Sequence, residues 1–249
     1  MSGFRHMIMT EIPEPLCVRR TVSFCEAIYT GATEVEGVWA DYAANISLID
    51  SIWNRARIPV LVDPEWSSVA SIKPDVIVDA TMVKRNIGTR MDEARLVIGV
   101  GPGFTAGDDV HMVIESNRGH DLGRVIYSGT AEPYTGVPGS MMGYGKERVL
   151  RAPVSGQIKH FGKIGDIVKK DDPVLKIGDT TLLAPIDGVL RGLIREIVVD
   201  KGEKVGDIDP TGIIKHCYTI TEKARAIGGG VLEAVMHVHN NPFQIERSN

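Results

Sequence analysis

The residues of this chain with chemical potential fall in a few short runs. Gly99, Gly101 and Gly103 punctuate "GVGPGF" (Gly99–Phe104) at the end of an apolar segment. Glycines at the carboxyl end of a strand let backbone amides approach an anion or cofactor closely. The same pattern serves a tight connection that needs left-handed backbone, with Pro102 setting the turn. Lys84-Arg85-Asn86 follows a second apolar segment and brings two cations and an amide to a similar place. Arg85 could fork around a phosphate, or the trio could be a solvated loop. Arg19-Arg20 reads the same way near a helix start. Glu11 ends the first strand, where nucleotide-binding folds place the acid that holds a ribose hydroxyl.

His111 and Glu115 share one face of a strand by period-two geometry, and Asn117, Arg118, His120 and Asp121 follow. His111, Glu115 and His120 have the right types for metal ligands or acid–base work, but their spacing matches no compact metal motif. A hydrogen-bonded structural network is the competing reading. There is no CxxC, no phosphate-loop motif and no Ser-His-Asp order, so no nucleophile is identified. Cys17, Cys25 and Cys217 are too few for a disulfide framework and read as buried or partly buried thiols in a reducing compartment.

The elements that must position these residues are legible from apolar runs. Strands are expected at His6–Ile12, Ile58–Pro64, Asp75–Val83 and Arg95–Gly103. Their Val/Ile-rich, nearly continuous character is that of parallel strands covered on both faces. "DDVHMVIESN" and "GRVIYSGTA" supply two more. Helical patterns lie between, at Pro15–Tyr29, Ile46–Arg57 and Ser67–Ile72. The alternation predicts an α/β fold with a Rossmann-like parallel sheet layer over residues 1–137. Residues 138–148, rich in Gly and Pro, read as a linker.

An internal repeat follows. "APVSGQI" begins at Ala152 and "APIDGVL" at Ala184, each trailed by a Gly/Asp turn and a short strand. Two similar halves predict a small β module with a pseudo-two-fold over residues 149–210. The repeats resemble the biotinyl/lipoyl barrel-sandwich hybrid. Carriers of that fold present a modifiable lysine at a hairpin tip; here the tip has none and Lys176 lies before it. Covalent biotin or lipoate is therefore not expected. Residues 211–249 form a C-terminal helical segment and tail, with Thr221 as N-cap, expected to pack back on the α/β domain. Gly228-Gly229-Gly230 interrupts the helical pattern, so either the helix breaks there or backbone passes close by. The residues after Asn240 read as a frayed polar tail.

Acids outnumber bases 32 to 28, for a net charge of −4, so nucleic acid is not an expected partner. Hydrophobic residues at 43% and charged residues at 24% mark a globular chain. No apolar run reaches the ~18 residues of a membrane span, and Met1–His6 does not open a secretory signal, so no membrane partner and a cytoplasmic location are expected.

Three strings carry a more specific likeness. "EIPEPLCVRRTVSF", "VIGVGPGFTAGDDVHMVIESNRGHDLGRVIYSG" and "AEPYTGVPG", followed by the repeats and "AIGGGVLEAV", resemble the YqeB family of accessory proteins of the selenium-dependent molybdenum hydroxylase system. The resemblance implies a Rossmann-like domain and a role in maturation of such a hydroxylase, with the hydroxylase or its maturation machinery as partner. A nucleotide or the molybdenum cofactor would then be the ligand of Glu11, Lys84, Arg85, Asn86 and the three glycines. Members of the family open with a Gly-rich strand–turn–helix that this chain lacks ahead of Gly3-Phe4-Arg5. The alternatives are a nucleotide-dependent Rossmann-type enzyme and, against the absent tip lysine, a covalent carrier.

Overall fold

Continuous Val/Ile/Leu runs become strands because each residue, on either side of the pleat, finds a covering layer. The computed structural model describes residues 2–137 and 139–240. Its first four strands are β1 (Met9–Glu11), β2 (Ala32–Val35), β3 (Val38–Ala43) and β4 (Ile58–Val62), in the order β1-β4-β3-β2. β4 is parallel to β1 and β3, and β2 closes the edge as an antiparallel partner of β3. That hairpin has no counterpart in the sequence expectation, because Glu34, Glu36 and Asp41 interrupt its apolar pattern. Ala27, Ala40, Ile58 and Val60 form the core beside this sheet, in contact with Met9, Phe24 and Ile28.

The next strands are β5 (Val76–Asp79), β6 (Leu96–Val100), β7 (Thr105–Ala106), β8 (Met112–Ile114), β9 (Val125–Ile126) and β10 (Gly129–Thr130). β5, β6 and β8 are parallel neighbours, β9 joins antiparallel, and β7 pairs separately with β10. The residues of β6 are all buried. The expected single parallel layer over 1–137 is thus corrected to two four-stranded mixed sheets. They belong to different compact units, one of Gly3–Trp66 with Val137–Ile220, the other of Ser67–Gly136 with the described residues from Thr221 to Asn240. Hydrophobic periodicity reports that a strand is covered, not which strand lies beside it.

The helices of the first unit are shorter than their patterns. In place of one helix over Pro15–Tyr29 stand two 3-10 turns, Arg20–Val22 and Phe24–Glu26, and the single turn α1 (Ala27–Thr30). α2 spans Ile49–Trp53 and, in the second unit, α3 spans Val69–Ile72.

The repeat builds β11 (Val149–Arg151), β12 (Gly156–His160), β13 (Ile167–Val168), β14 (Pro173–Ile177), β15 (Thr180–Leu183), β16 (Gly188–Leu193), β17 (Val198–Val199) and β18 (Lys204–Asp209). They form two four-stranded sheets, β11-β18-β16-β13 and β15-β14-β12-β17. Leu175, Ile177, Leu190, Leu193 and Ile208 share their core. The pseudo-two-fold is visible in the backbone. Ala152 donates its N–H to the Glu203 carbonyl and accepts from Gly202. Ala184 does the same with Asp172 and Asp171. Each copy is therefore latched to the turn that trails the other, and Asp171 and Gly202 both take left-handed backbone to allow it. The β14–β15 hairpin turns on Gly178-Asp179, while Lys176 faces Thr181 in the ladder.

Val18 joins the core of this β module, and Leu193 donates its N–H to the Val18 carbonyl at 2.8 Å. The Arg20 Nε donates to Leu193 O at 2.6 Å, and an Arg19 amine to His216 O at 2.8 Å. The segment after Pro15 is held as a strap across β16, which is why a helix does not form there. Of the expected linker 138–148, Pro138 lies outside the described residues. Arg148, at its end, is buried and paired with Asp207 at 2.6 Å. A guanidinium anchored 59 residues away leaves no local composition signal.

In the second unit α4 (Glu222–Asn240) runs unbroken through the triple glycine and buries Ala234, Val235 and Val238 against β6 and β8. Thr221 caps it, its hydroxyl accepting the Ala224 N–H. The tail of residues 241–249 lies outside the described residues.

Candidate functional site

Three parallel strands of the second unit end on one edge, the side where open α/β sheets bind ligands. β5 ends in Asp79, which is buried and accepts from the Thr81 N–H and hydroxyl and, at 2.6 Å, from the Thr89 hydroxyl. This knot turns the chain into the loop that carries Lys84, Arg85 and Asn86. Met82 and Lys84 both hold left-handed backbone there (φ 59° and 70°), uncommon for side chains of their size. Asn86 spends its amide within the loop: its oxygen accepts from Gly88 and Thr89, and its nitrogen donates to Thr89 O. It shapes the loop and does not face a ligand.

The glycines of β6 and its turn are needed for packing. A Cβ on Gly99 would lie 2.5 Å from the Phe104 ring, and one on Gly103 would lie 2.6 Å from the Arg85 nitrogen. A Cβ on Gly101 would lie 2.4 Å from the Ser116 hydroxyl. The space beside each is already filled by the protein. Gly99, Gly101 and Gly103 therefore do not form an open amide cradle; they seat the Lys84–Arg85 backbone on the β6 turn. The two runs singled out in the sequence are thus brought together, one supporting the other.

What faces outward is cationic. The Lys84 ammonium stands 5.3 Å from the Tyr134 ring centre, and burial pushes its pKa below the ordinary lysine value. Lys223, in the first turn of α4, is lowered by burial first and then by the charges of Arg118 and Lys84, against the pull of Glu115 and Glu222. Arg118 grips Glu222 with two nitrogens at 3.0 and 2.6 Å. Partly desolvated amines that repel each other gain when an anion arrives between them. Lys223 and Tyr134 escape sequence reasoning because nothing near them in the chain marks a site; only the fold delivers them to Lys84.

The remaining candidates take structural roles. Glu115 is buried, and its oxygens accept from the Asn117 N–H (2.6 Å) and the Glu132 N–H (2.7 Å), tying down the loop that carries Tyr134. His111 Nδ1 accepts the Val97 N–H at 3.0 Å, so that lone pair is committed to β6. His120 is exposed. Among the described residues no three His, Cys, Asp or Glu side chains are grouped to hold a metal ion. Glu11 belongs to the first unit, and its carboxylate accepts the neighbouring Ile12 N–H. Arg19 and Arg20 are the strap anchors described above.

His111 yields a pH prediction. Burial lowers its pKa from 6.5, so its share of stability is complete above that value. The share is lost as pH falls below 6.5 through the lower folded value, because the unfolded chain takes the proton first. Protonation also turns the acceptor for Val97 into a donor. Amide exchange at Val97 will accelerate on acidification in the wild type, and His111→Asn, which keeps an acceptor without titrating, will flatten that dependence.

No family model matches this chain. The uncharacterized protein YqeB of Escherichia coli strain K12 is 48% identical to it over 236 residues, 94% of this chain. The chain is a homologue of YqeB over that stretch. It spans 43% of the YqeB length, so the relationship concerns that part of YqeB alone. A solved structure of a succinylglutamate desuccinylase/aspartoacylase family protein from Shewanella amazonensis SB2B matches 25% of this chain and 20% of its own, at 26% identity and a TM-score of 0.23. That partial likeness assigns neither fold nor activity. No helix among the described residues is long and apolar enough to cross a membrane.

Proposed function

We propose that this chain acts as an accessory protein in the maturation of a selenium-dependent molybdenum hydroxylase, as its likeness to the YqeB family implies. In this reading the α/β unit is Rossmann-like and faces an anionic cofactor, while the β module, a barrel-sandwich hybrid without a carrier lysine, docks the client in the cytoplasm. The observation that carries it is the cluster of Lys84, Arg118 and Lys223 at the carboxyl ends of β5, β6 and β8. Strand ends of this kind accept phosphate-bearing ligands. Lys84 and Lys223 would hold the phosphate of a pterin-type cofactor, with Arg118 kept beside them by its pair with Glu222.

The test has two arms. Co-purification with a molybdenum hydroxylase should recover the client with the full chain; recovery of none sinks the maturation role. Calorimetric titration with the phosphorylated pterin cofactor should show binding that the double variant Lys84→Ala/Lys223→Ala weakens about tenfold or more, each tenfold being about 1.4 kcal/mol. Binding of a dinucleotide in place of the pterin would favour the nucleotide-dependent enzyme.

A further inference from the structure

The first unit holds a cavity of about 290 Å³ where its strap meets the edge strand β2. Arg20 and Glu26 of the strap line it together with Thr30, Ala32 and Thr33, and Ile164 supplies an apolar wall. Its volume sits at the small end of ligand pockets, so an occupant would be a molecule of few atoms.

The polar groups around this cavity are unevenly spent. Arg20 uses one nitrogen, its Nε donating to Leu193 O at 2.6 Å. Its Nη1 stands 3.7 Å from Glu26 Oε2, a distance of charge attraction but too long for a hydrogen bond. Buried Glu26 is engaged instead by Arg195, whose Nε and amine reach its two oxygens at 3.3 and 2.6 Å. The Arg195 guanidinium is steadied by the Tyr29 ring, whose centre lies 4.4 Å away. One carboxylate thus faces two guanidiniums, and the unbalanced charge rests on Arg20, whose Nη donors have no hydrogen-bond acceptor among the described residues.

We propose that this cavity binds a small carboxylate carrying a hydrogen-bond donor on the carbon beside its carboxyl group, as 2-hydroxy and 2-amino acids do. The assignment is independent of the anion site of the other unit.

The donors fit the carboxyl group. The paired Nη groups of a guanidinium match a planar carboxylate. Gly31 accepts the Tyr42 N–H across the hairpin, so the alternation of the ladder turns the next N–H, that of Ala32, to the open side of β2. The Thr33 hydroxyl adds a further donor at the same wall. The acceptors fit the neighbouring group. Thr21, also at the cavity, gives its hydroxyl proton to Cys217 O at 2.5 Å. Thr30 shares its proton between Glu26 O (2.9 Å) and Ala32 O (2.8 Å). Both threonine oxygens therefore offer only lone pairs, and Glu26 keeps lone pairs that Arg195 does not fill. A hydroxyl or ammonium beside the carboxylate meets these acceptors, while a short aliphatic body rests on Ile164. The unbalanced positive charge favours the anionic hydroxy acid over the zwitterion.

The experiment titrates the full ¹⁵N-labelled chain with lactate and follows the backbone amides by NMR. Lactate should shift Ala32 and Thr33 saturably. Propionate, which lacks only the hydroxyl, should bind about fivefold or more weakly, the worth of one hydrogen bond. Alanine should bind below lactate; alanine above lactate keeps the class and makes the amino acid its source. Arg20→Gln should abolish saturation. Because Arg20 also ties the strap to Leu193, Thr33→Val provides a variant of nearly the same shape on an edge strand, and it should weaken lactate about fivefold. No saturable shift with lactate, equal binding of propionate or inorganic phosphate, or a lactate response untouched by Thr33→Val overturns the proposal.

Discussion

Asp207→Ala will destabilise the first unit by about 3–5 kcal/mol, the range found when one partner of a buried ion pair is removed. Asp207 is 1% exposed and lies between two buried guanidiniums. One of its oxygens receives Arg148 at 2.6 Å, and the other receives both Nε (3.0 Å) and an amine of Arg191. The Arg191 guanidinium also stands 3.9 Å from buried Asp209, and half-buried Lys204 feels the same charges. Removing the Asp207 carboxylate leaves more positive charge in this region than Asp209 can balance. All three tryptophans, Trp39, Trp53 and Trp66, lie in the first unit, so urea unfolding followed by tryptophan fluorescence reads the effect directly. Lys169→Ala, which removes an exposed partner of Asp187, should leave the same midpoint unmoved. Replacing Arg148, Asp207 and Arg191 together by apolar residues of similar volume should recover most of the loss, because no charge is then stranded. A midpoint unchanged in Asp207→Ala would show that water reaches these guanidiniums and that their burial is nominal.

The second large effect separates three consecutive glycines. Gly230→Ala will destabilise the second unit by about 1–3 kcal/mol, the usual range for overpacking. The added Cβ would lie 2.1 Å from the Gly123 carbonyl oxygen and 3.0 Å from Ile114, and the first of these is backbone that cannot rotate away. Gly123 is the reciprocal partner, its own left-handed backbone (φ 84°) passing close to the Ala226 carbonyl. Gly228→Ala and Gly229→Ala should each stabilise α4 by about 0.5–1 kcal/mol, since a Cβ there meets nothing within 4 Å and the helix gains the propensity of alanine. Amide exchange in β6 and α4 provides the readout. The same sign at all three positions would remove the close approach as the reason for Gly230.

These cases show where sequence reasoning reaches and where it stops. The strands β4, β5, β6 and β8 are legible because each is a local apolar run with Pro, Gly or Asp at its ends. The β module is legible because its two copies repeat the same turn chemistry, and the Ala152 and Ala184 latches express that repetition. Thr221 as a helix cap is likewise a local matter of one hydroxyl and the N–H three residues on. The candidate site is legible by half. Lys84 and Arg85 stand out as cations after an apolar run, and Gly103 as a small residue, but that Gly103 supports Arg85 is a fact about two loops meeting.

What the sequence alone determined, then, is whatever a local pattern encodes: strand runs, turn glycines, a cap and a turn motif that recurs at Ala152 and Ala184. Tertiary structure decided the rest. It assigned the first four strands and the later ones to different sheets, and folded Val18 into the β module core. It made Arg148 a buried ion-pair partner. It also brought Lys223 to Lys84. Each outcome depends on a partner distant in the chain. Composition and periodicity record whether a side chain will be covered; they do not record by what, and the charge and ligand chemistry of this protein lies in that second question.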